Sequence, residues 1–201
     1  MRTAFSGFSL FISCLLSISL YSCRSYKLVP GLELSSLSFA PVFILPECDS
    51  SNGIEKVYFH RQMKGGTELI EVTVVFGDED QPCFLFNGIY DLFRQFKYHR
   101  KKDIETFFIQ SEKEGRGITC IDFGDAYSAG QKFKKGIVKH YHQVVAGAQL
   151  QMEGQRPLIF INTWNHLFSE KDNNPLRSKI RYRTYECLSG TREDAEPKKK
   201  R

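Results

Sequence analysis

Two strand-like segments joined by a glycine pair constrain the fold most strongly. Ile54–Arg61 and Thr67–Phe76 are rich in β-branched and aromatic residues, and the stretch between them contains Gly65 and Gly66. Glycine adopts the positive φ values that a tight turn between antiparallel strands needs. The sequence therefore predicts a β-hairpin and, with it, an antiparallel sheet.

Further segments predict two helices and additional strands. Apolar spacing predicts a first helix from about Asn87 to Lys101, with Asn87 as its N-cap, and a second helix from about Asp125 to Leu150. The remaining strand candidates are Pro41–Leu45, Asp103–Gln110, Leu158–Trp164 and Ile180–Cys187. The predicted fold class is α+β, with two helices packed on a mainly antiparallel sheet.

The N-terminus has the composition of a secretory signal peptide. Arg2 is followed by a stretch without charged residues, Phe5–Tyr21, and then by a small polar segment. This order predicts removal of residues 1–23, and retention as a membrane anchor is the alternative. The mature chain would then consist of a secreted domain, 24–188, and a flexible basic tail, 189–201, without an integral membrane span.

Four cysteines remain in the predicted mature domain. In a secreted chain of this size they predict two stabilising disulfides. We favour Cys48 with Cys83 and Cys120 with Cys187, while the other connectivities and free buried thiols are the alternatives. Because no Cys-x-x-Cys spacing occurs, the pattern argues against a zinc site or a thioredoxin-type redox site.

The formal net charge of +5 is small for a general polyanion binder, yet basic residues are concentrated in two places. One is the end of the predicted first helix, where the cations suit the helix dipole and could also contact RNA or phospholipid. The residues of this predicted binding segment are Lys97, Tyr98, Arg100, Lys101 and Lys102.

The second basic segment is the C-terminus. Its last four residues resemble a nuclear-import signal, with a solubilising tail as the alternative; they are Lys198, Lys199, Lys200 and Arg201. A secretion leader combined with an import signal would suit a protein that one cell secretes and that then enters the cytoplasm or nucleus of another.

The second half of the chain resembles the small secreted ribonuclease-like effectors of plant-pathogenic fungi, particularly those of powdery mildews. The resemblance covers residues 118–188 and is based on Ile118-Thr119-Cys120, on Tyr127 at the start of the predicted second helix, and on the strand-like Arg156–Asn162. It implies a ribonuclease T1-like fold that has lost catalysis. Residues 24–117 would then be an N-terminal extension.

One candidate set of catalytic residues follows from the chemistry of RNA cleavage, which needs a base, an acid and a cation. The sequence offers His166 with Arg181 and Arg183, for which Glu153 and Glu170 are the nearest carboxylates. An ordinary solvated strand face is the alternative for the two arginines. No metal site and no cofactor are predicted.

The sequence thus predicts a secreted, host-directed effector that acts by binding a host protein or RNA. Two alternatives remain open. One is an active secreted ribonuclease, and the other is an extracellular interaction module that does not bind nucleic acid. The sequence does not indicate the oligomeric state.

Overall fold

The computed structural model describes residues 39–80, 84–112, 117–134 and 136–197, with the backbone alone at 84–86. The predicted signal peptide, Cys83 and the basic run 198–201 lie outside these residues. Among the described helices, none is long and apolar enough to cross a membrane.

Two β-sheets form the body of the protein. The strands are β1 (Val42–Pro46), β2 (Ile54–Lys64), β3 (Thr67–Phe76), β4 (Asp103–Ser111), β5 (Ile118–Asp122), β6 (Val144–Ala146), β7 (Met152–Glu153), β8 (Arg156–Ile161), β9 (Phe168–Ser169), β10 (Lys179–Tyr182) and β11 (Glu186–Ser189), and the helices are α1 (Phe84–Tyr98) and α2 (Arg192–Ala195). One sheet has the order β11-β2-β3-β4-β5-β6, and the other has the order β10-β1-β8-β7 with β9 beside β8. Most pairs are antiparallel, while β1 with β8 and β11 with β2 are parallel. The coarse α+β prediction is confirmed.

The hairpin prediction is confirmed in detail. β2 and β3 pair in antiparallel register as far as Lys64 with Thr67. Gly65 and Gly66 form the turn with φ values of 58° and 86°. A two-residue turn with both φ angles positive matches the right-handed twist of the strands, and this conformation favours glycine at both positions. The predicted strand at Asp103–Gln110 is also confirmed, as β4.

Aromatic and β-branched side chains from both sheets form one core. Phe43 of β1 packs edge-on against Phe107 of β4, with ring centroids 6.3 Å apart, and Phe107 packs against Phe168 of β9 at 5.1 Å. All three side chains are fully buried. Because Phe107 contacts residues of the opposite sheet, these rings hold the two sheets face to face.

The predicted first helix exists as α1 and ends three residues earlier than expected. His99 follows it in the left-handed region, with φ 56°, and its N–H donates to the Gln95 carbonyl at 3.1 Å. A residue in this conformation terminates the helical hydrogen-bond pattern. Lys101 and Lys102 therefore lie beyond the helix.

The prediction of a second helix at 125–150 is wrong. The described residues of this segment form irregular loops, the short strand β6 and a single 3-10 turn at Gly147–Gln149. Gly130 and Gly136 have φ values of 79° and 124°, which interrupt a right-handed helix. The apolar residues of this segment have helical spacing, but glycines with positive φ values between them prevent a continuous helix. The described residues of 118–188 therefore contain no α-helix of the kind that the ribonuclease T1-like arrangement implies.

The single strand predicted at Ile180–Cys187 is two strands in different sheets. β10 pairs with β1, and β11 pairs with β2. Between them, Tyr185 points inward, where its ring lies 5.4 Å from that of Phe43 and its hydroxyl donates to the Pro41 carbonyl at 2.8 Å. The chain therefore crosses from one sheet to the other between the two halves of the predicted strand.

The predicted disulfide between Cys120 and Cys187 is also wrong, since both residues are free thiols. Cys120 lies in β5 and Cys187 in β11, with β2, β3 and β4 between them. Four strand spacings separate the two by roughly 19 Å, whereas disulfide-bonded Cα atoms lie within about 7 Å. Cys48 is free as well, and its predicted partner Cys83 lies outside the described residues.

A glycine substitution tests the close approach of two chain segments. A Cβ atom at Gly147 would lie 1.8 Å from the Ile118 carbonyl oxygen of β5, so Gly147→Ala should destabilise the protein by about 1–3 kcal/mol. Urea unfolding followed by circular dichroism measures this. The matched control is Gly88→Ala in α1, where no atom lies within 4 Å and alanine should stabilise by up to about 1 kcal/mol. Equal stability of Gly147→Ala and the wild type would contradict the packing.

Candidate functional site

His166, the predicted catalytic histidine, is fully buried between two carboxylates. Its Nδ1 lies 2.9 Å from Asp103 Oδ2 in β4, and its Nε2 lies 3.3 Å from Asp49 Oδ2 in the 3-10 segment that follows β1. The imidazole stacks on Phe76, with ring centroids 3.9 Å apart and planes 4° from parallel. We call His166, Asp49 and Asp103 the buried histidine site.

The two aspartates keep the histidine positively charged. Burial alone would lower the pKa of His166, but hydrogen bonds to Asp103 and Asp49 outweigh it and raise the pKa to about 10. Burial alone would raise the pKa of Asp103, but the hydrogen bond from His166 holds it below its usual range. At neutral pH the His166 imidazole is therefore protonated where it lies between Asp49 and Asp103.

Arg94 connects α1 to the buried histidine site. Its guanidinium is 3.1 Å from Asp78, 3.2 Å from Glu79 and 3.9 Å from Asp103. Tyr90, one turn earlier, donates to Glu79 Oε1 at 2.7 Å. Burial and the neighbouring Asp103 raise the pKa of Glu79 to about 7. We call Arg94, Asp78, Glu79, Asp103 and Tyr90 the Arg94 network. Through it, charged groups attach the helix to the body.

A cavity of about 590 Å³ opens beside the Arg94 network. It lies along an open strand edge. β5 pairs only with the second half of β4, from Phe108 to Ser111, so among the described strands none pairs with the half from Asp103 to Phe107 on that side. Helices α1 and α2, Glu71 of β3 and four loops complete the wall. Its charged lining groups are five carboxylates and three guanidinium groups: Glu71, Glu79, Asp103, Glu105, Asp125, Arg94, Arg100 and Arg192. We call it the polar cavity.

The arginines of the polar cavity already have partners. Arg94 belongs to the network above, Arg100 Nε lies 3.1 Å from Glu196, and Arg192 lies 3.7 Å from Glu196 and donates to Thr106 at 3.3 Å. The guanidinium groups of the lining are thus paired with carboxylates and a hydroxyl group of the protein.

Several acceptors of the polar cavity, by contrast, have no partner. Among the described residues, Glu105 and Asp125 make no side-chain hydrogen bond or ion pair. Asn165 is only 6% exposed, and its Oδ1 has no partner, although its Nδ2 lies 3.2 Å from His140. Burial and the nearby Asp103 raise the pKa of Glu105 well above its ordinary value. The unpaired groups of the lining therefore accept hydrogen bonds.

The predicted catalytic set is not assembled. Arg181 and Arg183 are exposed, and both pair with Glu153, at 3.2 and 2.6 Å. Hydrogen bonding from Arg183 lowers the pKa of Glu153, which weakens that carboxylate as a base. His166 is buried in the histidine site, away from solvent, and Glu170 is buried with Tyr127 as a hydrogen-bond donor at 3.1 Å.

The structure divides the predicted binding segment into two parts. Tyr98 and Arg100 line the polar cavity. Lys97 lies with its Nζ 4.8 Å from the centroid of the Tyr98 ring. Lys101 is exposed, and Lys102 forms an ion pair with Glu55.

The sequence analysis missed the residues that define the cavity. One signal was present: Asp103 and Glu105 share a strand face with the buried Phe107 and Ile109. Carboxylates on the apolar face of a strand are costly to bury and indicate a buried charge partner or a binding site. No local pattern pointed to Asn165.

Comparison with known proteins assigns no family. No family model and no curated protein matches the chain. Two solved structures are similar: "NLPPya in complex with mannosamine", at 9% identity and a TM-score of 0.45, and "NLPPya in complex with glucosamine", at 8% identity and a TM-score of 0.44. Each match covers 77% of this chain and 70% of the other. These values assign neither a fold nor a ligand.

The buried histidine site predicts a pH-dependent stability. His166→Gln leaves Asp49 and Asp103 without their counter-charge and should lower the free energy of unfolding by about 3–5 kcal/mol at pH 6. The pKa of His166 is about 10 in the folded state against an ordinary 6.5. Its stabilisation is therefore complete below pH 6.5 and is lost as the pH rises towards 10.

Urea unfolding at several pH values between 6 and 10 measures this. The difference in free energy of unfolding between wild type and His166→Gln should shrink as the pH rises. The corresponding difference for His60→Gln should stay constant. A difference for His166→Gln that is constant across this range would show that the histidine is neutral when folded.

Proposed function

We propose that the protein is a secreted effector that acts by binding, and that the polar cavity is its ligand site. The observation that carries the proposal is the set of unpaired acceptors in the cavity. Glu105, Asp125 and Asn165 Oδ1 face a space of about 590 Å³ without a hydrogen-bond donor from the described residues. Of these, Asn165 Oδ1 is buried, and because buried polar atoms are normally paired, a donor from outside the described residues is expected there.

The unpaired groups define the chemistry of the ligand. An ammonium group would pair with Glu105 and Asp125, and a hydroxyl would donate to Asn165. Tyr90 and Tyr98 add aromatic surface to the wall, on which the apolar face of a ring can pack. The volume lies within the range of small-molecule sites, about 300–1,000 Å³. A small amine that also carries hydroxyl groups, such as an amino sugar, fits these requirements.

The raised pKa of Glu105 supports a cationic ligand. Desolvation disfavours the ionised carboxylate in the empty cavity. A bound ammonium would stabilise the ionised form, so binding would be coupled to release of a proton from Glu105. Affinity should therefore increase with pH for as long as the amine of the ligand remains protonated.

The proposal differs in part from the sequence hypotheses. It retains secretion and binding. The three guanidinium groups of the lining are already paired with protein groups and leave no cation for a phosphate, so we do not propose RNA as the ligand of this cavity. The ribonuclease-like assignment of residues 118–188, uptake into a host cell and nuclear import stay predictions.

A titration of the mature protein, residues 24–201, tests the site. Isothermal calorimetry at pH 7 should detect binding of glucosamine and much weaker binding of its neutral analogue N-acetylglucosamine. Glu105→Gln should weaken glucosamine binding about tenfold, because it removes a charge-assisted hydrogen bond. The matched control is Glu186→Gln, the same chemical change at an exposed position of β11, and it should bind as wild type. Equal binding by Glu105→Gln and wild type would exclude this site.

A further inference from the structure

Helix α1 presents its apolar side chains to solvent. Ile89, Leu92, Phe93 and Phe96 are 67%, 60%, 53% and 84% exposed. Their spacing places them on one face of the helix, which we call the outer face of α1. Four large apolar side chains on one exposed face are unusual, because an amphipathic helix normally buries that face.

The opposite face of α1 is polar and contacts the body. Arg94 is buried in its ionic network, Tyr90 donates to Glu79, and Asn87 donates to Asp80 at 2.7 Å. The helix is thus oriented with its charged side inward and its apolar side outward. These polar contacts fix the orientation, so turning the apolar face inward would break the Arg94 ion pairs.

Positive charge lies at one end of the outer face. Lys97 and Lys101 are exposed and make no ion pair with a described carboxylate. Lys97 Nζ lies 5.3 Å from the Phe93 ring centroid, so the cation borders the apolar surface directly. Arg100 pairs with Glu196 at 3.1 Å, which fixes the start of the C-terminal tail at the same end of α1.

We propose that the outer face of α1 binds an anionic lipid bilayer surface. Apolar side chains on one side of a helix and cations at its border are the combination that lies in a membrane interface, with the cations at lipid phosphates and carboxylates. An RNA could stack on the aromatic rings but would leave the aliphatic Ile89 and Leu92 exposed. A second copy of the chain would bring the two sets of cations close together in a parallel pairing. This surface is distinct from the polar cavity, so the proposal does not depend on the cavity ligand.

Co-flotation with vesicles tests the proposal on the mature protein, residues 24–201. The protein should float with phosphatidylcholine vesicles that contain phosphatidylserine, and at least fivefold less with phosphatidylcholine alone. Phe96→Glu should reduce flotation at least fivefold, and Lys97→Glu should remove most of the phosphatidylserine dependence. Leu176→Glu is the matched control: Leu176 is fully exposed outside this face, and the variant should float as wild type.

Three results would overturn the proposal. The first is no flotation of wild type with either vesicle. The second is equal flotation of Phe96→Glu and wild type. If deletion of residues 198–201 then abolished flotation, the tail would bind the vesicles without α1. The third is a stable dimer in light scattering that Phe96→Glu dissociates, since the outer face would then bind a second copy. Circular dichroism of each variant checks that the fold is unchanged, as expected for an exposed position.

Discussion

The pairing of the buried His166 imidazolium with Asp49 and Asp103 is the interaction on which the rest of the structure depends. It joins the segment after β1, the start of β4 and the loop between β8 and β9, which belong to both sheets. His166 and Asp103 are 63 positions apart in the chain, so the contact fixes long-range topology. The stack on Phe76 places the charge directly against the apolar core. Removing either partner would leave an uncompensated charge in that core.

The same carboxylates determine where α1 lies. Asp103 accepts from His166 and also lies within ion-pair distance of Arg94, so the charge at β4 is shared between the core and the helix. Because Arg94 attaches α1 on its inner side, the four apolar residues of the outer face are left facing outward. The polar cavity follows from the same arrangement, since the helix stands beside the open edge of β4 and leaves space between them. One buried charge network therefore accounts for both the cavity and the exposed apolar face.

Local features of the fold could be predicted from the sequence, and long-range ones could not. The hairpin was evident because Gly65 and Gly66 supply the turn and the flanking residues supply the strands. Helix α1 was evident from its apolar spacing, although that spacing suggested a buried face where the structure has an exposed one. At 125–150 the same kind of pattern was misleading, because Gly130 and Gly136 adopt positive φ values. Periodicity reports which residues could share a face, but not what covers that face.

The candidate site was largely beyond sequence analysis. His166 was selected as a catalytic group, yet its partners Asp49 and Asp103 are distant in the chain, and only the fold brings them together. The disulfide prediction for Cys120 and Cys187 failed for the same reason, since cysteine counting does not reveal which strands lie between two residues. Tyr98 and Arg100 were selected for their charge and ring, and they do line the cavity. Asn165, whose Oδ1 has no partner among the described residues, has no sequence pattern around it that could reveal its role.

The central claim is that the ionic contacts of Arg94 hold α1 on the body. Hydrogen exchange measured by mass spectrometry on wild type and Arg94→Gln tests it most directly. We expect the amides of α1 to exchange at least tenfold faster in Arg94→Gln, while those of β2 and β3 keep their protection, because the hairpin is held by the apolar core. Unchanged protection of α1 in Arg94→Gln would contradict the account, and so would an equal loss of protection in β3.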